Sequence, residues 1–183
     1  MKYLIYLIVL FFSVPLISCL GSNDEEYTEW RAENDKYMLS KEIETDADGN
    51  LKYKKVYASW NPQGYVLMQW HNNRSLTEKN LSPLSTSTVD LKFHGRLITE
   101  EPFDSSYLRT SPADSIYRSQ LNENIPGFII GISQMHIGDS CTIIIPYREG
   151  YGAAGSRSIK PFSNLIFDVK LVDIPGYQIP TED

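Results

Sequence analysis

Strand-like patterns in the second half of the chain most constrain its fold. Residues 89–93 and 165–171 carry apolar side chains at alternate positions. The apolar residues at these positions are Val89, Leu91, Phe93, Leu165, Phe167, Val169 and Leu171. An alternation of period two is typical of a strand with one buried and one wet face. Residues 140–146 form a nearly continuous apolar run, which is typical of a buried strand.

One short helix is predicted between these strands. Pro126-Gly127 opens a segment in which Phe128, Ile132 and Met135 recur at helical spacing. Several strands and one short helix within about a hundred residues predict an α+β fold, with a twisted antiparallel sheet folded over the helix.

The patterns ahead of residue 88 predict a helical and hairpin extension. Aromatic residues at three- and four-residue steps predict a helix over 25–39, and Asp48-Gly49 is a hairpin turn signal. Strands are predicted at 51–60 and 65–70, with a break at 61–64.

The first residues resemble a lipoprotein export signal. Lys2 precedes an apolar run over 3–17, which is too short to span a bilayer comfortably but suits a secretory signal. The run ends in Leu16-Ile17-Ser18-Cys19, which resembles the lipobox of bacterial lipoproteins. By that resemblance Cys19 carries a lipid, and the protein lies in the cell envelope of a Gram-negative bacterium, on the periplasmic face or the cell surface. An ordinary signal peptide cut nearby is the alternative.

Composition and spacing argue against several other classes of function. The formal net charge of −6 argues against a nucleic-acid partner, which would need a basic stripe. His71, His94 and His136 lie far apart without ligand spacing, so no metal site is predicted. Cys141 lies in an apolar run and is predicted to be a buried hydrophobe rather than a reactive thiol.

Short motifs between residues 88 and 174 resemble, in order and spacing, those of FKBP-type peptidyl-prolyl cis–trans isomerases. The family's first-strand pattern V-x-Y-x-G-x-L is similar to residues 91–97, and F-D-S-S is Phe103-Asp104-Ser105-Ser106. The family's I-P-G-W is similar to Ile125-Pro126-Gly127-Phe128, and the glycines around Met135 follow its G-x-x-x-M-x-x-G. The Y-G-x-x-G and I-P-P…L-x-F-x-V segments are matched at 151–155 and 159–169.

This resemblance implies a deep apolar pocket between sheet and helix. It also implies isomerase activity toward proline-containing polypeptides that assists the folding of exported proteins, without a cofactor. The residues implied as catalytic are Asp104, Tyr151 and Ile125, the last through its backbone N–H. Those implied to bind substrate are Phe93, Phe103, Phe128, Ile159 and Phe167. Macrolides are implied as candidate ligands.

The chain departs from the family pattern around this pocket. Phe93 replaces a tyrosine whose hydroxyl would bond the acid, so Asp104 is expected to be less well oriented. Phe128 replaces a tryptophan, Asn124 replaces an apolar residue, and the flap at 156–158 lacks the usual histidine.

One position of the family's pocket is left open by the sequence. Residues 111–121 do not align with the pattern, so either Tyr117 or Ile116 fills the position of a further pocket aromatic.

Five parts of the chain are predicted from these signals. They are a signal peptide at 1–18, a tether at 19–26, an extension of helix plus strands at 27–87, an FKBP-type domain at 88–174 and a tail at 175–183. The N-terminal helix either covers the domain or, as in some exported relatives, builds a homodimer.

Two alternatives to an isomerase remain open. The altered pocket would serve a weakly catalytic or non-catalytic chaperone that binds peptides. Alternatively, the extension carries the function, with Trp60 and Trp70 as a platform for sugars.

Overall fold

The computed structural model describes residues 26–177. In this part of the chain there are two α-helices and seven strands. In chain order they are α1 (Thr28–Glu42), β1 (Lys54–Ala58), β2 (Asn61–Trp70), β3 (Thr88–Arg96), β4 (Pro102–Ser105), β5 (Tyr117–Gln120), α2 (Pro126–Ile132), β6 (Ser140–Ile145) and β7 (Leu165–Asp173). The predicted signal peptide, the lipidation at Cys19 and most of the predicted tether and tail lie outside the described residues.

All seven strands belong to one antiparallel sheet. Its order is β1-β2-β6-β7-β3-β4, and β5 also pairs with β3. The alternating apolar faces predicted for β3 and β7 are buried, and the two strands are paired so that Phe93 lies opposite Val169. The predicted α+β class, with an antiparallel sheet over a short helix, is confirmed.

Helix α2 packs against the front face of this sheet. Phe128, Ile132 and Met135 are buried as their spacing predicted, although the helix ends at Ile132. Gly127 allows the close approach, because a Cβ atom there would lie 2.2 Å from Cγ2 of Ile145. The main core therefore lies between α2 and the sheet.

The sheet continues into the N-terminal extension. β2 pairs with β6 along four residues, and β1 pairs with β2 at the sheet edge. The boundary at residue 87 remains a prediction, but β1 and β2 share their sheet with the predicted domain. No helix in residues 26–177 is long and apolar enough to cross a membrane.

The predicted break at 61–64 was wrong, because these residues begin β2. Pro62 is tolerated there because the pairing with β1 is already irregular between Tyr57 and Ala58. The side chain of Asn61 accepts the N–H of Gly64 at 3.0 Å, which replaces regular pairing at this point. The main hairpin is therefore β1–β2, whereas Asp48-Gly49 turns a smaller loop that is closed at Thr45 and Leu51.

Helix α1 covers the back face of the sheet, and it begins and ends three residues later than predicted. Its Met38 packs with Tyr53, Leu67, Ile144 and Ile166 in a second cluster. The C-terminal turn is held because Glu42 accepts the hydroxyl of Tyr65 at 2.5 Å and pairs with Lys55 at 2.9 Å.

Two buried asparagines join α1 to the start of β7. Asn34 accepts the backbone N–H of Asn164 at 2.7 Å, and its own side-chain amide donates to the carbonyl of Trp30 at 2.9 Å. The amide of Asn164 donates to the carbonyl of Asn34 at 2.6 Å. Both residues are fully buried, so this link is shielded from water.

A buried acid anchors the loop that leads into β3. The carboxylate of Asp139 accepts hydrogen bonds from the hydroxyl of Thr77, from Asn72 at 2.9 Å and from the backbone of His136 at 2.8 Å. Burial raises the pKa of Asp139, but these donors and the nearby Arg74 outweigh it and hold the pKa below its ordinary value. The acid is therefore charged in the folded protein.

Candidate active site

A cavity of about 660 Å³ opens among β3, β7, the start of α2 and the segment 151–159. It is lined by all eight positions that the family pattern placed in a pocket: Phe93, Phe103, Asp104, Ile125, Phe128, Tyr151, Ile159 and Phe167. The fold thus brings together residues that lie up to 74 positions apart in sequence. The roles assigned to them remain predictions.

Four phenylalanines form the apolar wall of the cavity. Phe93 meets Phe128 and Phe167 edge to face, with ring centroids 6.2 and 5.8 Å apart. Phe167 also meets Phe128 at 5.1 Å and Phe103 at 5.4 Å. Aromatic pairs favour this tilted geometry because the positive edge of one ring faces the negative face of another. Contacts among the four rings therefore hold the wall of the cavity in place.

Gly95 makes room for this wall. It lies opposite Phe167 in the β3–β7 register, and a Cβ atom there would lie 2.9 Å from the ring of Phe103. A separation below 3.0 Å forces a neighbour to shift. Glycine at this position therefore permits the two rings to close over β3.

Asp104 lies beside a cation rather than a phenol. Its carboxylate accepts the backbone N–H of Ser105 at 2.7 Å and lies 3.6 Å from the guanidinium of Arg109. Arg109 in turn lies 4.8 Å from the centroid of the Tyr117 ring. The sequence patterns did not predict this pair, and the expectation that Asp104 is less well oriented stays a prediction. The only sequence signal of the pair is a cation five residues after Asp104.

Two hydrogen-bond donors at the cavity are unused within residues 26–177. The Tyr151 hydroxyl and the Ile125 backbone N–H have no acceptor in this part of the chain. Burial, followed by the nearby charge of Asp104, raises the pKa of Tyr151 above its ordinary value. Tyr151 is therefore a neutral phenol at physiological pH and can donate to a ligand carbonyl.

Tyr117, and not Ile116, supplies the further aromatic residue of the cavity. Its ring meets Phe93 edge to face at 5.4 Å, and its hydroxyl donates to Asn124 at 3.3 Å. Ile116 is buried away from the cavity lining. The amide of Asn124 also donates to the carbonyl of Gln120 at 3.0 Å, which fixes the turn before α2.

A tight turn at 156–159 forms the flap of the cavity. Ser156 and Ile159 exchange two backbone hydrogen bonds of 2.9 and 2.6 Å. Gly155 has a φ of +66°, and a Cβ atom there would lie 2.5 Å from the carbonyl oxygen of Ile159. The flap is therefore closely packed, with Ile159 buried at the cavity wall.

Comparison with known proteins identifies the family. Residues 79–172 match the family model described as FKBP-type peptidyl-prolyl cis-trans isomerase. The chain belongs to this FKBP family. The matched segment contains every cavity residue named above, so the family's characteristic region and the cavity coincide.

Curated FKBP relatives from bacteria share this region. FkpA of Escherichia coli strain K12 is 35% identical over 154 residues, which cover 84% of this chain and 47% of FkpA. The FKBP-type 22 kDa isomerase of the same strain is 38% identical over 93 residues, which cover 50% of this chain and 43% of that protein. The chain thus spans about half the length of the curated relatives it matches.

Solved structures show the same fold. The crystal structure of FkpA from Escherichia coli aligns with a TM-score of 0.67 at 25% identity, covering 84% of this chain and 63% of that one. An isomerase structure from Pseudomonas syringae aligns with a TM-score of 0.60 at 23% identity, covering 80% and 95% of the two chains, and supports the fold alone.

Within residues 26–177, Trp60, Trp70, the potential metal ligands and Cys141 do not form a second site. Trp70 packs partly against the core, with the guanidinium of Arg74 3.9 Å from its ring centroid, whereas Trp60 is exposed. Residues 26–177 contain no cluster of three or more potential metal ligands. Cys141 is buried, and burial raises the pKa of its thiol well above the ordinary value.

Proposed function

We propose that this FKBP-family protein is a peptidyl-prolyl cis–trans isomerase that assists the folding of exported proteins. The supporting observation is the aromatic cavity with two unused donors at Ile125 and Tyr151. Rotation about an X-Pro bond faces a barrier of about 18–20 kcal/mol, because the amide loses resonance as it twists. No bond is broken, so a pocket that binds the twisted amide better than the planar one is sufficient.

In the proposed mechanism, the proline ring lies on Phe128, against Phe103 and Phe167. Removing water from the imide disfavours its polar, planar resonance form. The Ile125 N–H and the Tyr151 hydroxyl donate to substrate carbonyls and hold the peptide while the bond rotates. Stabilising the twisted form by about 3–4 kcal/mol accelerates rotation by two to three powers of ten.

Asp104 has an electrostatic part in this mechanism. Its carboxylate places a negative charge at the cavity, and the hydrogen bond from the Ser105 amide holds the carboxylate beside the backbone. A charge held before the reaction needs no reorganisation when the imide twists.

Isomerase assays on two variants test these roles. Tyr151→Phe removes one donor, and Asp104→Leu removes the charge. We expect kcat/KM on a Leu-Pro peptide to fall about five- to tenfold in Tyr151→Phe, since one hydrogen bond contributes about 1 kcal/mol. We expect it to fall in Asp104→Leu as well, because the charge at the cavity is lost. Tyr177→Phe, an exposed tyrosine outside the cavity, is the matched control. Unchanged turnover in both variants would remove Tyr151 and Asp104 from the mechanism.

A peptide-binding chaperone with little catalysis is the second candidate. One observation favours it: the Asp104 carboxylate is half exposed and partly neutralised by Arg109, which weakens its field in the cavity. Turnover distinguishes the two functions, because a holding chaperone would bind a proline peptide without accelerating its isomerisation. A macrolide of the type bound by FKBP proteins would compete with the peptide in either case.

We also propose that lipid on Cys19 anchors the protein in the cell envelope of a Gram-negative bacterium. Support comes from the lipobox-like residues 16–19 and from relatives in Escherichia coli. Mass spectrometry of the mature N-terminus should find a lipid-modified Cys19, and Cys19→Ser should release the protein from the membrane fraction. An unmodified cysteine in the mature protein would refute the anchor.

A homodimer through α1 is proposed as well. The support is two apolar side chains, Leu39 in this helix and Ile43 directly after it, which are 65% and 75% exposed. Sedimentation should show a dimer that Leu39→Glu weakens, and a wild-type monomer at micromolar concentration would exclude it.

A further inference from the structure

Charged side chains surround the mouth of the cavity. Asp104, Arg109, Glu123 and Arg157 all contribute to its lining. Asp104 and Arg109 lie 3.6 Å apart and form an ion pair. Within residues 26–177, neither Glu123 nor Arg157 forms an ion pair or a side-chain hydrogen bond. Arg157 and Glu123 are therefore available to interact with a peptide that enters the cavity.

Arg157 is held at the tip of the flap in an unusual backbone conformation. Its φ of +43° lies in the left-handed region, which glycine adopts without steric cost. Ser156 and Ile159 bond to each other on either side of it, so the turn holds the arginine at a defined place above the cavity. Strained non-glycine residues concentrate at functional sites. The turn fixes the point from which the arginine side chain leaves the backbone.

We propose that Arg157 selects substrates that carry an acidic residue next to the proline. The inference rests on the proposed function of the cavity. A guanidinium binds a carboxylate through two parallel hydrogen bonds, and such bonds are stronger than those between neutral groups. Arg109 has a carboxylate partner in Asp104, 3.6 Å away, whereas Arg157 has none within residues 26–177. Glu123 acts in the opposite sense and reduces the preference for acid.

Peptides that differ at one residue test the selection. Two sets carry Glu, Gln or Lys immediately before or immediately after the proline. At low ionic strength we expect kcat/KM for the Glu peptide to exceed that for the Gln peptide about fivefold in at least one set, as for a partly solvated ion pair. Added salt should reduce this ratio because it screens exposed charges.

Variants at Arg157 and Glu123 show which side chain causes the preference for the Glu peptide. Arg157→Gln should bring the Glu-to-Gln ratio to about one, Arg157→Lys should retain part of it, and Glu123→Gln should raise it. Arg157→Gly removes the charge but relieves the backbone, so loss of preference in a fully folded Arg157→Gly variant excludes misfolding as the cause. Lys160→Gln, an exposed cation outside the cavity lining, is the matched control and should leave the ratio unchanged.

The outcomes separate this inference from the proposed function. A wild-type ratio of one in both peptide sets, or a preference that survives Arg157→Gln, overturns the selection while isomerase activity stands. If turnover is absent, the same ratios are measured as dissociation constants by NMR titration, and equal affinities for Glu and Gln peptides overturn it. Failure to bind any proline peptide overturns both proposals.

Discussion

Asn34→Ala removes the buried amide that joins α1 to the start of β7. In the wild type, this side chain accepts the N–H of Asn164 at 2.7 Å and donates to the carbonyl of Trp30 at 2.9 Å. Alanine leaves the Asn164 N–H without an acceptor in a fully buried position. Of the two hydrogen bonds between Asn34 and Asn164, only the one from the Asn164 side chain to the Asn34 carbonyl then remains.

The expected destabilisation follows from these contacts. An unsatisfied buried donor costs about 1–3 kcal/mol, and losing the bond to Trp30 costs about 0.5–1 kcal/mol. Alanine is the better helix former and returns about 0.6 kcal/mol. The free energy of unfolding should therefore fall by about 2 kcal/mol, which for a chain of this size lowers Tm by about 4–8 °C.

Urea titration followed by circular dichroism measures this change. Glu33→Ala, the exposed neighbour on the same helix, is the control and should shift stability by less than about 0.5 kcal/mol. A loss below about 0.5 kcal/mol in Asn34→Ala, with one cooperative transition, would contradict the view that α1 is part of the folded unit.

Three further predictions concern the core and the cavity. Asp139→Asn should lower the free energy of unfolding by about 2 kcal/mol at neutral pH. Because the pKa of Asp139 is lowered in the folded protein, the wild type should lose this contribution as pH falls below about 4. If urea titrations show the same loss of stability with falling pH in both proteins, the prediction is refuted. Gly95→Ala should destabilise by about 1–3 kcal/mol and reduce isomerase turnover, since its Cβ displaces the ring of Phe103; unchanged values in both assays would count against it. In a Cys19→Ser background, Cys141 should react with a thiol reagent at pH 8 only after unfolding, because burial raises its pKa, and rapid labelling of the native protein would show otherwise.

The cavity could be predicted from sequence because its residues are fixed by short motifs. Phe93, Phe128 and Phe167 each lie on a strand or helix whose period is visible in the sequence, and the family pattern supplied their order. Those elements form under local constraints, so the sequence signal and the three-dimensional position agree.

Contacts between distant polar side chains could not be predicted in the same way. The Asn34–Asn164 link spans 130 residues and leaves no periodic pattern. The Asp104–Arg109 pair, and the lack of a partner for Arg157 within residues 26–177, depend on how loops close over the cavity, which composition does not reveal. Pro62 was misread because proline usually ends a strand, whereas here the pairing is already irregular and no regular bond is lost.

The most direct test of the central claim is exchange NMR on a Leu-Pro peptide with a catalytic amount of the wild-type protein. Uncatalysed exchange takes tens to hundreds of seconds at 25 °C, so cis and trans resonances show no exchange peaks at mixing times below a second. The aromatic cavity with donors at Ile125 and Tyr151 predicts strong exchange peaks at these times. Peptide resonances that shift on binding but show no exchange peaks would contradict the account.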